Sequence, residues 1–375
     1  MTQAILLIAA AFCGFIGTWA VRRVAIRLGI LSYPNQVVRD IRPPVPYLGG
    51  IGVLLGASVA LILFGRDEPI RLTVFAGFVA FILLGLIDDL VEMRWWTKLS
   101  AQFVIAGIAT VAGFLRGHPG MYWRITGWTP LDAVVSCLWL VTVVNAVNLI
   151  DVSDGLAASV CAVVLMCWGL FAESASSSTY LAVAGACLGF LWWNRPPAKI
   201  YLGDCGSQAL GFLLGVAALD GFLYLPGSKL RILTPILCTG VPLFELIFLT
   251  VVRIRKGLPW WRGSPDHFAL RLQQAGLKKS QIDLLAAWAA FGLWISGMMI
   301  AQAMTRNGVL FLAFLVGGLG IFWKILLMWE VKIGKHVPVV RMPLNSESVE
   351  VNGRLNETAF LNTRHTESSW QTEAR

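Results

Sequence analysis

The sequence predicts an all-α, polytopic membrane bundle of about eleven transmembrane helices, with the N-terminus outside and the C-terminus in the cytoplasm. Three observations lead there. First, 57% of the 375 residues are apolar and only 14% are charged, against about 45–50% and about 25% in soluble domains. Second, several apolar runs are long enough to cross ~30 Å of hydrocarbon, and mean hydropathy is +0.71. Third, Lys and Arg sort by loop. Sixteen follow the odd-numbered spans one to nine and seven lie on the other side. The positive-inside rule puts the richer side in the cytoplasm. The net charge of +9 is then a matter of topology, and no nucleic-acid partner is expected.

The first span covers about 4–28. Its start, MTQAILLIAA, lacks a basic leader region and a small-residue cleavage pattern, so it reads as a span and not a signal peptide. Spans follow near 48–65 and 71–90, the latter ending in Asp88 and Asp89. The fourth, 98–115, begins with Lys98, and the fifth, 131–150, runs into NAVNLIDVSDGL. Spans near 156–173 and 179–193 lead to Asn194 and the helix-breaking Pro196 and Pro197. The run Gly203-Asp204-Cys205-Gly206-Ser207 opens the eighth, 206–225. The ninth, 232–252, precedes a basic loop, and the last two cover 283–304 and 308–330. Residues 1–330 thus form the membrane domain. The polar composition of 331–375 predicts a flexible cytoplasmic tail. The seven cysteines form no C-x-x-C pair and read as packing residues, with Cys205 alone inside a polar motif.

Four polar motifs fall on the cytoplasmic side by this count, which points to one site at the membrane boundary. Carboxylates at membrane depth are costly and mark function. In GLIDDLVEMRWWTKLSAQ, residues 85–102, adjacent aspartates point ~100° apart on a helix, so each can face a different partner. Lys98 suits a phosphate. Asn145, Asn148, Asp151 and Asp154 recur every third residue. On one helix they would fan across ~180°. A helix ending near Asp151, with a turn at Gly155, would bring both carboxylates together. At 203–207, backbone N–H groups before a span are free to meet an anion, and Asp204 suits Mg²⁺, which prefers one or two carboxylates plus substrate phosphates. In the loop 253–280, His267 and Arg271 stand four apart and would share a helix face, clamping a pyrophosphate. Each motif alone also fits a plainer role: a solvated helix end, interhelical hydrogen bonding, a capped span, or an interfacial loop with Trp260 and Trp261 at the headgroups.

Together these residues resemble the polyprenyl-phosphate N-acetylhexosamine-1-phosphate transferases, whose superfamily includes phospho-N-acetylmuramoyl-pentapeptide transferase. The resemblance covers most of residues 30–280. It rests on Asp88–Asp89 with Lys98 and Gln102, on N-x-x-N-x-x-D-x-x-D-G-L-A, on N-x-x-P-A-x-x-x-x-G-D-x-G-S, and on the basic His loop. Arg39, Pro44, Pro46 and Gly49–Gly50 match a further N-terminal segment. The resemblance implies catalytic roles for Asp88, Asp89, Asp151, Asp154 and His267. It implies substrate binding by Lys98, Asn145, Asn148, Asn194, Arg271 and Arg39, and metal binding by Asp204 and Asp88. The cofactor is expected to be Mg²⁺ or Mn²⁺. The partners are expected to be undecaprenyl phosphate, a UDP-N-acetylhexosamine and the lipid bilayer of the bacterial inner membrane, with a homodimer allowed. The sequence departs from the family pattern at Ile41, Val152 and Leu270. Two rival readings are the muramoyl-pentapeptide transferase of the same superfamily and an ion-coupled secondary transporter. A transporter usually shows inverted repeats and midplane acids; here the acids sit at span ends and no repeat is evident.

Overall fold

A computed structural model describes residues 2–32, 44–65, 69–115, 126–171, 176–224, 232–259, 261, 263–302 and 305–328. Arg39, Ile41, Trp260 and the tail 331–375 lie outside the described residues. Helices α1 (Thr2–Arg27), α2 (Gly49–Phe64), α3 (Pro69–Val91), α4 (Trp95–Leu115) and α5 (Thr129–Ile150) are followed by α6 (Leu156–Phe171), α7 (Ser177–Asn194) and α8 (Gly203–Tyr224). Then come α9 (Leu233–Cys238), α10 (Gly240–Arg255), α11 (Phe268–Gln274), α12 (Lys279–Gln302) and α13 (Thr305–Met328). The only strands among the described residues are β1 (Leu31–Ser32) and β2 (Val45–Pro46), paired antiparallel with Leu31 opposite Pro46.

Six helices are long and apolar enough to cross a membrane, and shorter apolar ones accompany them. One expected span differs. Residues 232–252 do not form one helix but break at Thr239 into α9 and α10. Pro242 has no N–H to give to Cys238, and Thr239 Oγ1 and N instead both bond to the Pro235 carbonyl, at 2.7 and 3.1 Å.

Helix α8 lies at the centre, buried from Cys205 to Phe222, and packs against α2, α3, α5, α6 and α9. Helix α1 packs against both α2 and α7. Two small-xxx-small pairs make this approach close. A Cβ added at Gly56 would lie 2.5 Å from Gly14 Cα, and one at Gly189 would lie 2.0 Å from the Ala11 carbonyl oxygen. The N-terminal Pro-Gly-Gly segment is explained by the same central helix. The Gly49 and Gly50 N–H groups donate to the carbonyls of Tyr201 and Leu202, both at 2.9 Å, which ties the start of α2 to the approach of α8.

Candidate active site

Three helix ends supply the centre of the site. Lys98, in the first turn of α4, reaches Asp204 Oδ2 at 2.5 Å, Asp88 Oδ2 at 2.7 Å and Asn148 Oδ1 at 3.4 Å. Asn148, in the last turn of α5, donates to Asp204 Oδ1 at 2.7 Å and to Ser207 Oγ at 2.8 Å. Asp204 is the second residue of α8. One ammonium is thus shared by two carboxylates, at the end of the bundle where the apolar spans stop. Asp88 also fixes the connection to α4, because its Oδ1 accepts the Met93 N–H at 2.8 Å.

The neighbouring Asp89 points elsewhere, as adjacent helical residues must. Its two carboxylate oxygens accept the backbone N–H groups of Asp204 at 2.9 Å and Cys205 at 3.0 Å. The expectation that these N–H groups stand free for a substrate anion is therefore corrected: a carboxylate of the protein already holds them. An anion at a helix N-terminus satisfies orphan donors and meets the positive end of the helix dipole. Gly203 sits against that carboxylate at φ +78°, and a Cβ there would lie 2.8 Å from Asp89 Oδ2.

The turn after α5 forms as the spacing predicts. Helix α5 stops at Ile150, Gly155 takes φ +82°, and α6 starts at Leu156. Asn194 holds this turn in place. Its Oδ1 accepts the Gly155 N–H at 2.9 Å and its Nδ2 donates to the Ile200 carbonyl at 2.8 Å, with the residue buried. Asp154 accepts the Ala198 N–H at 3.2 Å and lies 3.5 Å from Lys279 Nζ. Asp151 is half-buried, and no hydrogen bond to its carboxylate is formed among the described residues. Burial pushes its carboxyl well above the usual range, and the negative charges of Asp204, Asp89 and Asp154 push it further.

Asn145 lies one turn deeper than expected for a substrate contact. It donates to Gln102 Oε1 at 2.7 Å and to the Val141 carbonyl at 2.8 Å, and Gln102 donates to Gln208 Oε1 at 3.0 Å. Gln102, Asn145 and Gln208 sit one helical turn below Lys98, Asn148 and Asp204 on the same three helices. An amide layer therefore underlies the charged one. Gln208 follows Ser207 in the run that opens α8, but an amide there gives no signal of its role without its partners.

The late loop folds against α10. His267 Nδ1 lies 2.7 Å from Glu245 Oε1, and the Phe268 N–H donates to Glu245 Oε2 at 3.2 Å. His267 precedes α11, and Arg271 closes its first turn through a backbone bond to the His267 carbonyl at 3.0 Å. The expected phosphate fork of Arg271 is also corrected. Its guanidinium donates to the Asp266 carbonyl at 3.2 Å, Asp266 Oδ1 at 2.8 Å and the Leu326 carbonyl at 3.0 Å, and the residue is 2% exposed. All three nitrogens face inward, so Arg271 locks α11 to α13. Glu245, missed from sequence, was an acid within an apolar run and so carried a legible signal. Trp261 stacks on Trp95 at 5.2 Å between ring centroids, joining this loop to the start of α4.

The donor set bears on a divalent ion. Among the described residues, no three His, Cys, Asp or Glu side chains are grouped to hold a metal by themselves. Asp204 and Asp151 offer oxygen donors only, and the charge of Asp204 adds to the negative field at Asp151. That suits a hard cation completed by substrate phosphates and water, as Mg²⁺ usually is.

Comparison with known proteins yields concordant relatives. The family described as "Glycosyl transferase family 4" matches residues 71–222. A Bacillus subtilis protein named "Probable undecaprenyl-phosphate N-acetylglucosaminyl 1-phosphate transferase" is 31% identical over 293 residues, covering 76% of this chain and 80% of its own. A Moorella thermoacetica phospho-N-acetylmuramoyl-pentapeptide-transferase is 31% identical over 268 residues, covering 65% and 80%. A Mycobacterium tuberculosis decaprenyl-phosphate N-acetylglucosaminephosphotransferase is 29% identical over 313 residues, covering 74% and 77%.

Proposed function

Since this chain belongs to the polyprenyl-phosphate N-acetylhexosamine-1-phosphate transferases of glycosyl transferase family 4, we propose that it moves GlcNAc-1-phosphate from UDP-GlcNAc to undecaprenyl phosphate and releases UMP. The observation that carries the reading is Lys98 held between Asp88 and Asp204 beside Asn148. A cation at the end of an apolar bundle is placed to take the phosphate of a lipid whose chain stays in the bilayer. The count of basic residues supports a cytoplasmic site in the bacterial inner membrane, where nucleotide sugars are made.

In this reading Lys98 exchanges a carboxylate for the lipid phosphate. Asn148 keeps Asp204 oriented through its amide, and Asp89 fixes the backbone that carries Asp204. An oxygen of the lipid phosphate attacks the sugar-linked phosphorus in line. The bond from that phosphorus to the bridging oxygen breaks, and UMP leaves with the oxygen. A lipid phosphate is already largely ionised near pH 7, its second pKa being ~6 by analogy with phosphoserine, so no protein base is required. Asp204, with Asp151 or Asp88, would hold Mg²⁺, which when bound supplies neutralisation of pyrophosphate charge. Positioning and charge compensation are then most of the catalysis. Asp154, whose charge acts on Asp151, borders the site, while His267 is held by Glu245 and Asn194 and Arg271 act through the backbone they hold.

The test uses purified protein in lipid nanodiscs with undecaprenyl phosphate and Mg²⁺. UMP release is scored with UDP-GlcNAc and with UDP-MurNAc-pentapeptide. Release with UDP-GlcNAc is the expected result. Release only with the pentapeptide donor reassigns the sugar, and no release with any UDP-sugar sinks the reading.

A further inference from the structure

A second feature lies at the joined ends of α1 and α7. Arg22 and Arg23 come from the last turns of α1, and Arg195 and Lys199 follow α7. Arg22 and Lys199 flank one indole: their charged groups lie 6.0 and 5.6 Å from the Trp193 ring centroid. Arg195 lies 4.1 Å over Trp192, and Arg23 lies 4.1 Å over Trp19. The Arg22 Nε–H also donates to the Lys199 carbonyl at 3.0 Å, which holds the two segments together. None of these four cations pairs with a carboxylate among the described residues. Arg23, Arg195 and Lys199 are exposed, as are the Trp19 and Trp192 rings.

Two like charges on one ring, with no counter-ion between them, repel. Folding alone gives no reason to gather them. A shared anion would turn the repulsion into attraction, and tryptophans at the same level mark the headgroup region of a bilayer. Clusters of four or more basic residues at the ends of membrane helices attract anionic lipid. The frame is also preformed, because the glycine contacts that clamp α1 to α7 leave little room for the two ends to part.

We propose that the α1–α7 rim is a docking surface for the headgroup of an anionic phospholipid. Its phosphate would sit between Arg22 and Lys199 beside Trp193, with Arg195 and Arg23 flanking. This assignment does not depend on the transferase reading.

The experiment reconstitutes the full chain into nanodiscs of phosphatidylcholine, with or without phosphatidylglycerol. It compares wild type with Lys199→Gln and with Arg22→Gln/Lys199→Gln. Two readouts are taken: the Tm, and the lipid retained in native mass spectrometry. Wild type is expected to gain about 3 °C or more in phosphatidylglycerol through selective binding to the folded state. Retained phosphatidylglycerol is expected to drop about five-fold per cation removed, with the Tm in phosphatidylcholine unchanged. Lys199→Gln keeps the Arg22 bond to the carbonyl, so it reads the site even if the double variant folds poorly. Equal response of wild type to both lipids, or an undiminished response in Lys199→Gln, overturns the proposal. So does a response confined to added undecaprenyl phosphate, which would make the rim a feature of the acceptor path.

Discussion

The carboxylate of Asp89 accepts the backbone N–H of Asp204 at 2.9 Å, across 115 positions of sequence. The Asp89 carboxylate is thereby engaged with backbone, and the chain that carries Asp204 is fixed. Loss of a helix-capping acceptor costs about 0.5–2 kcal/mol. Asp89→Ala should lower the Tm by several degrees and cut UMP release at least about ten-fold through the displaced Asp204. Full activity in a destabilised Asp89→Ala protein would show that the cap does not position Asp204.

Asp204→Asn removes charge while keeping shape. Turnover should fall about 100-fold or more, with expression unchanged, and more Mg²⁺ should be needed for what remains. Initial rates over a Mg²⁺ titration check this. Normal turnover at low Mg²⁺ would mean that Asp204 is not a ligand.

Asp151 carries a pH prediction. Its folded carboxyl is pushed above the ordinary range by burial and by the charges of Asp204, Asp89 and Asp154. In the window above the ordinary value the native state holds a proton that the unfolded chain has released. Stability therefore falls as pH rises through that window to the raised folded value. Asp151→Asn should raise the Tm at about pH 8, the gain shrinking as pH falls toward about 3, below the ordinary Asp value of about 3.9, where both states are protonated, while UMP release is largely lost. An unchanged Tm difference across that range would contradict the assigned cause.

The amide layer beneath the charged one predicts a turnover defect without a binding defect. Interhelical hydrogen bonds in membranes average only ~0.6 kcal/mol, so Gln102→Met should leave the Tm nearly unchanged. Released from Gln208 and Asn145, α4 could turn slightly. At a helix radius of about 5–6 Å, a small rotation shifts Lys98 by an ångström or more. The kcat should fall about ten-fold or more with the donor KM within about three-fold. A raised KM with normal kcat would instead make the layer part of the substrate pocket.

Arg271→Lys tests the corrected role of the late loop. Lysine cannot reach Asp266 and the Leu326 carbonyl together. Breaking a buried charged network costs about 3–5 kcal/mol, so the Tm should fall clearly. His267→Gln should be milder in stability and worse in turnover. If Arg271→Lys kept the wild-type Tm and raised only the donor KM, the phosphate fork would be restored as the better account.

Much of this protein is legible in order along the chain. Apolar runs too long for a soluble core set the helices α1, α3, α4, α5, α8 and α12. The stop at Asp151 and the turn at Gly155 follow from residue types that break a helix locally. The grouping of Lys98, Asn148 and Asp204 on one side follows from counting charges between spans. These features depend on near neighbours in sequence, so periodicity and turn chemistry suffice to find them. Tertiary structure alone decided how each polar atom is used. Asp88 and Asp89 look alike in sequence, yet one meets Lys98 and the other caps α8, because adjacent side chains on a helix leave in directions ~100° apart. Arg271 carries a phosphate-binding fork by chemistry, yet Asp266 and the Leu326 carbonyl, 55 positions away, fill it. A buried donor takes whichever acceptor packing brings within 3 Å, and packing between distant helices is set by shape across the whole bundle, not by the residues beside it in the chain.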